Sequence, residues 1–266
     1  MSAPTSTELL EEFEAAKDIA KRLFKLCSDI PNGVVLTNKA ISERLGSPPY
    51  DIGFIKDNFS SLVSELQIAA YGYYLEAERE VCGAVLADYV KSEMHGESAG
   101  EALASLQRSF FIFDRFFLSL TQSRRQRAGA SFEVVVQTLF GALGYPDTSQ
   151  SELSGSRPDF VLPSVEHYRA FAADCLIFTC KRTLRERWRQ VVTEGLTGQA
   201  FYLATIDERI SVPELTRMRE RNVIVVVPEA IKSSYYLTQL NVISFENFFD
   251  HHLDPALGRW KANSVI

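Results

Sequence analysis

The spacing of apolar residues changes near residue 129, and that change limits the folds open to this chain more than any other feature. Before it, apolar positions recur at three and four: Leu9, Leu10, Phe13, Ala16, Ile19, Ala20, Leu23 and Phe24 form one such stripe, the mark of an amphipathic helix. Helical spacing returns through SSLVSELQIAAYGYYLEAEREVCGAVLADYVKSEM and the aromatic ALASLQRSFFIFDRFFLSLTQ, with HGESAGE as a loop between them. In PNGVVLTNKAISERLGSPPY, Thr37 is placed to cap a short helix ending near Gly46, and the Pro-Pro pair then forces an extended turn.

Beyond that point GASFEVVVQTLFGALG reads as a helix starting near Gly129 and stopped by Gly144, and short apolar runs then alternate with helical ones. DFVLP (159–163), ADCLIFTC (173–180), QAFYLAT (199–205), NVIVVVP (222–228) and NVISF (241–245) predict strands, with LRERWRQVVTEGL and VPELTRMRERN as helices between some of them. The expected fold class is α/β: a core with a mixed central β-sheet flanked by helices, preceded by an N-terminal helical region. The expected division is residues 1–118 for the helical region and 119–266 for the core.

Charge is spread unevenly over these parts. Residues 1 to 103 carry nine Lys/Arg against seventeen Asp/Glu, which leaves the remainder near +2 within a total of −6. A site for a polyanion therefore belongs to the second part. No apolar run approaches the roughly 20 residues that a bilayer crossing needs, and MSAPTSTELLEEFEAAKD lacks the basic, apolar and small-residue order of a secretory signal. A cytoplasmic protein is expected. Four cysteines, 27, 82, 175 and 180, with no CxxC pair, point to reduced thiols rather than a disulfide framework or zinc site.

Four features line up on the predicted sheet. Pro158-Asp159 opens a strand after the turn-rich SELSGSR, Lys181 closes the next strand in Thr179-Cys180-Lys181, Glu194 lies thirteen residues further on, and Glu133 sits in the first turn of the helix expected from Gly129. Singly, these are an ordinary turn aspartate, a strand-end lysine and two solvated helix charges. Together they are what metal-assisted phosphodiester hydrolysis needs: acids to hold Mg²⁺ and a cation to orient or help deprotonate the attacking water. Pro146-Asp147, the same dipeptide, precedes no predicted strand and is set aside. Five cationic side chains fall between Lys181 and Arg189, so positive charge gathers where the strand ends.

The order Pro158-Asp159, Thr179-Cys180-Lys181, Glu194 resembles the rearranged PD-(D/E)xK signature of the type II restriction endonucleases that read CC/GG-containing sites, the EcoRII-like group. There the second acid has moved from the strand onto the helix. Thr179 stands here where the commoner pattern has Asp or Glu, which leaves Asp174 and Glu186 as spare acids. Arg185-Glu186-Arg187 resembles that group's recognition triplet, and the stretch from Gln122 through Arg124, Arg125 and Arg127 to Glu133 is similar to the segment supplying a minor-groove glutamine and a fourth acid. YLATIDERIS, TRMRERNVIVVVPEAI and ISFENFF extend the likeness to about residue 250.

The resemblance implies a restriction-endonuclease-like core and a homodimeric prokaryotic enzyme cutting double-stranded DNA at a near-palindromic site of the CCNGG or CCWGG type, leaving 5′ overhangs. It implies a Mg²⁺ cofactor, with Mn²⁺ able to substitute, held by Asp159, Glu194, Glu133 and the backbone carbonyl of Cys180. Arg185 and Arg187 would donate to guanine and Glu186 accept from cytosine, with Gln122 in the minor groove. Arg182, Arg189, Arg124, Arg125 and Arg127 would meet phosphates, and residues 1–118 would support DNA contacts and the dimer. Several relatives flip the central bases; Tyr50, Phe54 and Phe59 are the aromatic candidates for stacking on them. A repair or structure-specific nuclease on the same scaffold, or a non-catalytic DNA-binding regulator, are the competing readings.

Overall fold

The computed structural model describes residues 5–93, 96, 98–146, 148–149 (backbone only), 158–184 and 201–266. The expected site residues Arg185, Glu186, Arg187, Arg189 and Glu194 lie outside the described residues. The chain opens with helices α1 (Ser6–Leu26), α2 (Gly33–Leu45), α3 (Ile52–Asp57), α4 (Phe59–Glu93), α5 (Ala99–Arg108) and α6 (Phe110–Ala142). After α6 come strands β1 (Thr148–Ser149) and β2 (Phe160–Leu162), helix α7 (Val165–Phe171), and strands β3 (Leu176–Cys180) and β4 (Phe201–Ala204). Helix α8 (Val212–Glu220), strand β5 (Val223–Val227), helix α9 (Glu229–Tyr235), strand β6 (Val242–Ser244) and helices α10 (Phe245–Phe248) and α11 (Asp254–Ala262) complete it.

Local chemistry sets many of these ends. Thr5 and Glu8 cap α1 reciprocally, as Ser98 and Glu101 cap α5 and Ser211 and Glu214 cap α8, each pair satisfying amide donors that a helix start leaves open. Gly46 (φ +76) and Gly144 (φ +72) take the left-handed conformation just after α2 and α6, where a side chain would be strained. Thr37 does not cap α2. It lies inside that helix, buried, with its hydroxyl 2.7 Å from that of Ser131.

Two further expectations are corrected. No helix starts at Gly129: α6 runs unbroken from Phe110 to Ala142, because packing on both sides of one glycine outweighs its propensity cost of about 1 kcal/mol. Glu133, Arg124, Arg125 and Arg127 are thus mid-helix residues without the field of a helix N-terminus. Pro146-Asp147 is followed directly by β1, a pairing two residues long and too short to show as a pattern.

The chain forms two compact units that alternate along it: residues 1–36 with 70–128, and 37–69 with 129–266. Helices α2, α4 and α6 each contribute to both units, so no cut at residue 118 separates them. The first unit is helical, with Ala16, Ala20, Leu23, Tyr74, Ile112, Phe116 and Leu120 at its core.

The second unit holds the sheet, ordered β1-β2-β3-β4-β5-β6. The first three strands pair antiparallel and β3 through β6 run parallel, which is the mixed sheet expected. Its two faces differ because strand side chains alternate. Val161, Ile177, Leu203, Val225 and Val227 pack with Leu215 and Met218 of α8. Phe160, Phe178 and Tyr202 meet an aromatic layer of Phe140, Phe248 and Phe249. Between two such layers, the sheet holds the strand ends rigidly.

Candidate active site

Strands β2 and β3 run antiparallel with Phe160 opposite Phe178, so one step outward Asp159 stands beside Thr179. The entry of one strand and the exit of the other thereby meet at one edge of the core. Asp159 is 8% exposed, and a carboxylate so placed needs donors. It has three on Oδ2: the Thr179 hydroxyl at 2.7 Å, the Cys180 backbone N–H at 2.6 Å and the Lys181 ammonium at 3.3 Å. The Thr179 hydroxyl in turn accepts from Lys181 Nζ at 3.3 Å. Asp159, Thr179 and Lys181 are therefore one closed network.

Glu133 reaches the same neighbourhood from α6. Burial, then the Asp159 carboxylate and then that of Glu133, push the Cys180 thiol well above its ordinary pKa, with Lys181 opposing. Glu133 thus lies close enough to bear on Cys180. Among the described residues the three donors to Asp159 all fall on Oδ2, and carboxylate oxygens are the ligands that a hard cation takes. Among the described residues there is no group of three His, Cys, Asp or Glu side chains around a common point.

The remaining expected residues are placed as follows. Asp174, a spare acid on sequence grounds, lies before β3, at its other end, bound to His167 at 3.0 Å and to Arg259 at 3.2 Å. Burial raises its pKa, but these two partners outweigh it and hold the carboxyl below its usual value. It belongs to that ion pair and not to the site. Arg182 is part-buried, and its Nε has no hydrogen-bond partner among the described residues.

In the first unit, Gln122 and Arg125 are exposed on α6. Arg124 is bound through Nε to both oxygens of Glu78, at 2.8 and 3.1 Å, and Glu78, which also accepts from the Tyr74 hydroxyl, is only 5% exposed. Arg127 donates to the Pro31 carbonyl at 3.3 Å and lies 5.3 Å from the centre of the Tyr74 ring. A Cβ at Gly33 would stand 2.9 Å from the Arg127 carbonyl oxygen, so α2 starts with the one residue that fits there.

Among the stacking candidates Tyr50 and Phe54 are half-buried, the latter with the Arg44 guanidinium 5.1 Å from its ring centre. Phe59 is withdrawn. It is wholly buried against Phe140, Phe245 and Phe249 and has no face to offer a base. Thr179, conversely, is on sequence grounds only a departure from the commoner motif. Its place in the network is visible only from the β2–β3 register.

A mixed sheet whose antiparallel edge joins an aspartate to a strand-end lysine, beside a helix-borne glutamate, defines a nuclease-like core. Metal-depleted Ecl18kI in complex with uncleaved DNA has the same fold, with a TM-score of 0.79 at 26% identity, covering 94% of this chain and 85% of that one. The structure of the PspGI restriction endonuclease with substrate DNA shares the fold at a TM-score of 0.64 and 20% identity, over 86% of this chain and 94% of that one. Residues 97–249 match the family described as EcoRII C terminal, and this chain belongs to that family.

The type II restriction enzyme SsoII of Shigella sonnei is 33% identical over 148 residues, 52% of this chain and 48% of that enzyme. For the type II restriction enzyme EcoRII of Escherichia coli the figures are 29% over 138 residues, 49% and 34%. The matched part is thus about half of the first relative and a third of the second. The chain is homologous to type II restriction enzymes, as the ordered motifs implied. No helix among the described residues is long and apolar enough to cross a membrane.

Proposed function

We propose that this protein is a Mg²⁺-dependent type II restriction endonuclease that hydrolyses double-stranded DNA at a near-palindromic CC/GG-containing site, acting as a homodimer and leaving 5′ overhangs. The observation that carries this reading is the closed Asp159–Thr179–Lys181 network at the β2–β3 edge, in a chain of the EcoRII C terminal family. Asp159 and Glu133, with Glu194 and the Cys180 carbonyl, would hold the cation. When bound, it would neutralise phosphate charge and lower the pKa of a coordinated water. The Lys181 ammonium, tethered by Asp159 and Thr179, orients the attacking water and meets charge that grows on the phosphate.

Arg185, Glu186 and Arg187 are the proposed readers of the guanine and cytosine edges, Gln122 that of the minor groove, and Arg182, Arg189 and Arg125 phosphate contacts. Tyr50 or Phe54 would stack on a central base if one is extruded. Incubation of unmethylated plasmid DNA with the protein and Mg²⁺ tests this: discrete fragments are expected, lost in Asp159→Ala and Lys181→Ala. Undiminished cutting by both variants would exclude this site, and nicks at branches without defined ends would favour a structure-specific nuclease. Arg187→Ala should weaken preference for the cognate site by about 1–3 kcal/mol per lost bidentate contact. Glu194→Ala should spare binding and lose turnover.

A further inference from the structure

The parallel pairing of β3 with β4 does not stop where the strands end. Cys180 lies opposite Ala204 as the last pair, and the next rung is still backbone, Lys181 N–H to the Ala204 carbonyl at 2.9 Å. After that, side chains of the β4 exit take over. The Thr205 hydroxyl donates to the Arg182 carbonyl at 3.2 Å, and Oδ2 of Asp207 accepts the Leu184 N–H at 2.8 Å. Three rungs therefore bind residues 181, 182 and 184 to residues 204, 205 and 207.

The loop supplying these rungs is itself fixed. The Asp207 N–H donates to the Thr205 hydroxyl at 3.1 Å and Oδ1 of Asp207 accepts the Arg209 N–H at 3.0 Å. The buried Tyr236 hydroxyl donates to the Asp207 carbonyl at 2.7 Å and accepts the Ile210 N–H at 3.0 Å. Leu184 is anchored on its other side too, its side chain 2% exposed in the core with Leu215 and Met218. A hydrogen bond to an ionised carboxylate is stronger than one between neutral groups, which makes Asp207 the firmest rung.

We propose that Asp207, with Thr205, is a positioning residue: it fixes the backbone between the site lysine Lys181 and Arg185, the first residue of the base-reading triplet, so that base reading and cutting keep one geometry. This inference rests on the function proposed above. The Leu184 side chain, buried in the core, resists displacement of this backbone but does not set its rotation.

The test uses the full-length protein and two readouts. Amide hydrogen exchange without DNA should show the Leu184 amide exchanging at least about tenfold faster in Asp207→Ala, the effect of losing one hydrogen bond to a charged group, while the Val225 amide in β5 is unchanged. Cleavage of a cognate duplex against one with a single altered base should then show the ratio of kcat/KM values falling by a similar factor. Asp207→Asn, which retains an oxygen for the Leu184 N–H, should restore much of that ratio, and Thr205→Ser should match the unaltered protein where Thr205→Val does not.

Unchanged Leu184 exchange would overturn the anchor. Faster exchange with undiminished discrimination would overturn the coupling, leaving Asp207 a merely structural contact. Failure of the unaltered protein to cut any DNA would instead sink the nuclease reading and the coupling with it, while the exchange result still reports whether the anchor exists. Should Asp207→Ala not fold, Thr205→Val, which removes the acceptor of the Asp207 N–H, carries the same two measurements.

Discussion

Phe160 lies opposite Phe178 across the antiparallel β2–β3 ladder, and this register decides which polar groups face each other one residue beyond. A slip of one residue would turn every side chain of β2 to the opposite face and carry Asp159 away from Thr179. The aromatic layer that holds the two phenylalanines therefore also holds the site.

Asp159→Asn keeps an oxygen for the Thr179 hydroxyl and the Cys180 N–H but loses the charge. Turnover should fall at least about a hundredfold, since even an outer-sphere partner of a metal site is worth ten- to a hundredfold, with the melting temperature nearly unchanged. Asp159→Ala should add a stability loss of about 1–3 kcal/mol for the stranded buried donors. Initial cleavage rates and denaturant titration separate the two effects.

Thr179→Val removes the hydroxyl that links Asp159 to Lys181 without changing the volume at a position 2% exposed. Cleavage should fall by roughly tenfold, in keeping with the loss of one hydrogen bond to a charged group, while DNA binding measured without divalent metal stays within about twofold. Thr179→Ser should recover the rate.

Arg124 and Arg125 are adjacent in sequence and should behave differently. Arg124→Ala leaves the buried Glu78 carboxylate without its cation, so urea denaturation should reveal a stability loss of about 1–3 kcal/mol. Arg125→Ala should leave stability alone and reduce the slope of log binding constant against log salt by about one, as removal of a single phosphate contact does.

All four cysteines are buried. Burial raises the Cys27, Cys82 and Cys175 thiols, the last two to about 12, and holds the Cys180 thiol well above its ordinary value, so the thiolate that reacts with disulfide reagents is scarce at neutral pH. Ellman's reagent should titrate almost no thiol in the native protein within minutes and four per chain in guanidinium chloride.

His252 couples folding to pH. Burial, and then the neighbouring His251, lower its pKa, and its Nδ1 lies 2.9 Å from the Tyr202 hydroxyl. On acidification the unfolded chain takes up this proton before the native one does, so stability is lost as pH falls below about 6.5, the ordinary histidine value. Denaturant titrations at pH 7.5 and 5.5 should show a smaller difference for His252→Gln than for the unaltered protein.

Much of this was legible in the order of residues, because hydrophobic period and strand-end chemistry are local. Each of the five expected strands is present, and the strand-flanking Asp159 and Lys181 lie 3.3 Å apart. The shortfalls share one cause, which is that distant packing overrides local signals. Gly129 looked like a helix start and is the interior of α6; Phe59 looked exposed in a turn-rich stretch and is covered by three aromatic rings from distant positions; Arg124 looked like a phosphate clamp and is bound to a glutamate 46 residues away.

The division follows from range. Composition, apolar period and ordered motifs were enough for an α/β core of this family carrying an acid and a lysine at neighbouring strand ends, since those properties are written within a few residues of each other. Thr179 as the bridge between them, and Thr205 and Asp207 as rungs beyond the last strand pair, emerged from folding alone. A hydrogen bond across 20 or more residues depends on register, and register is chosen by how whole sheets and helices pack.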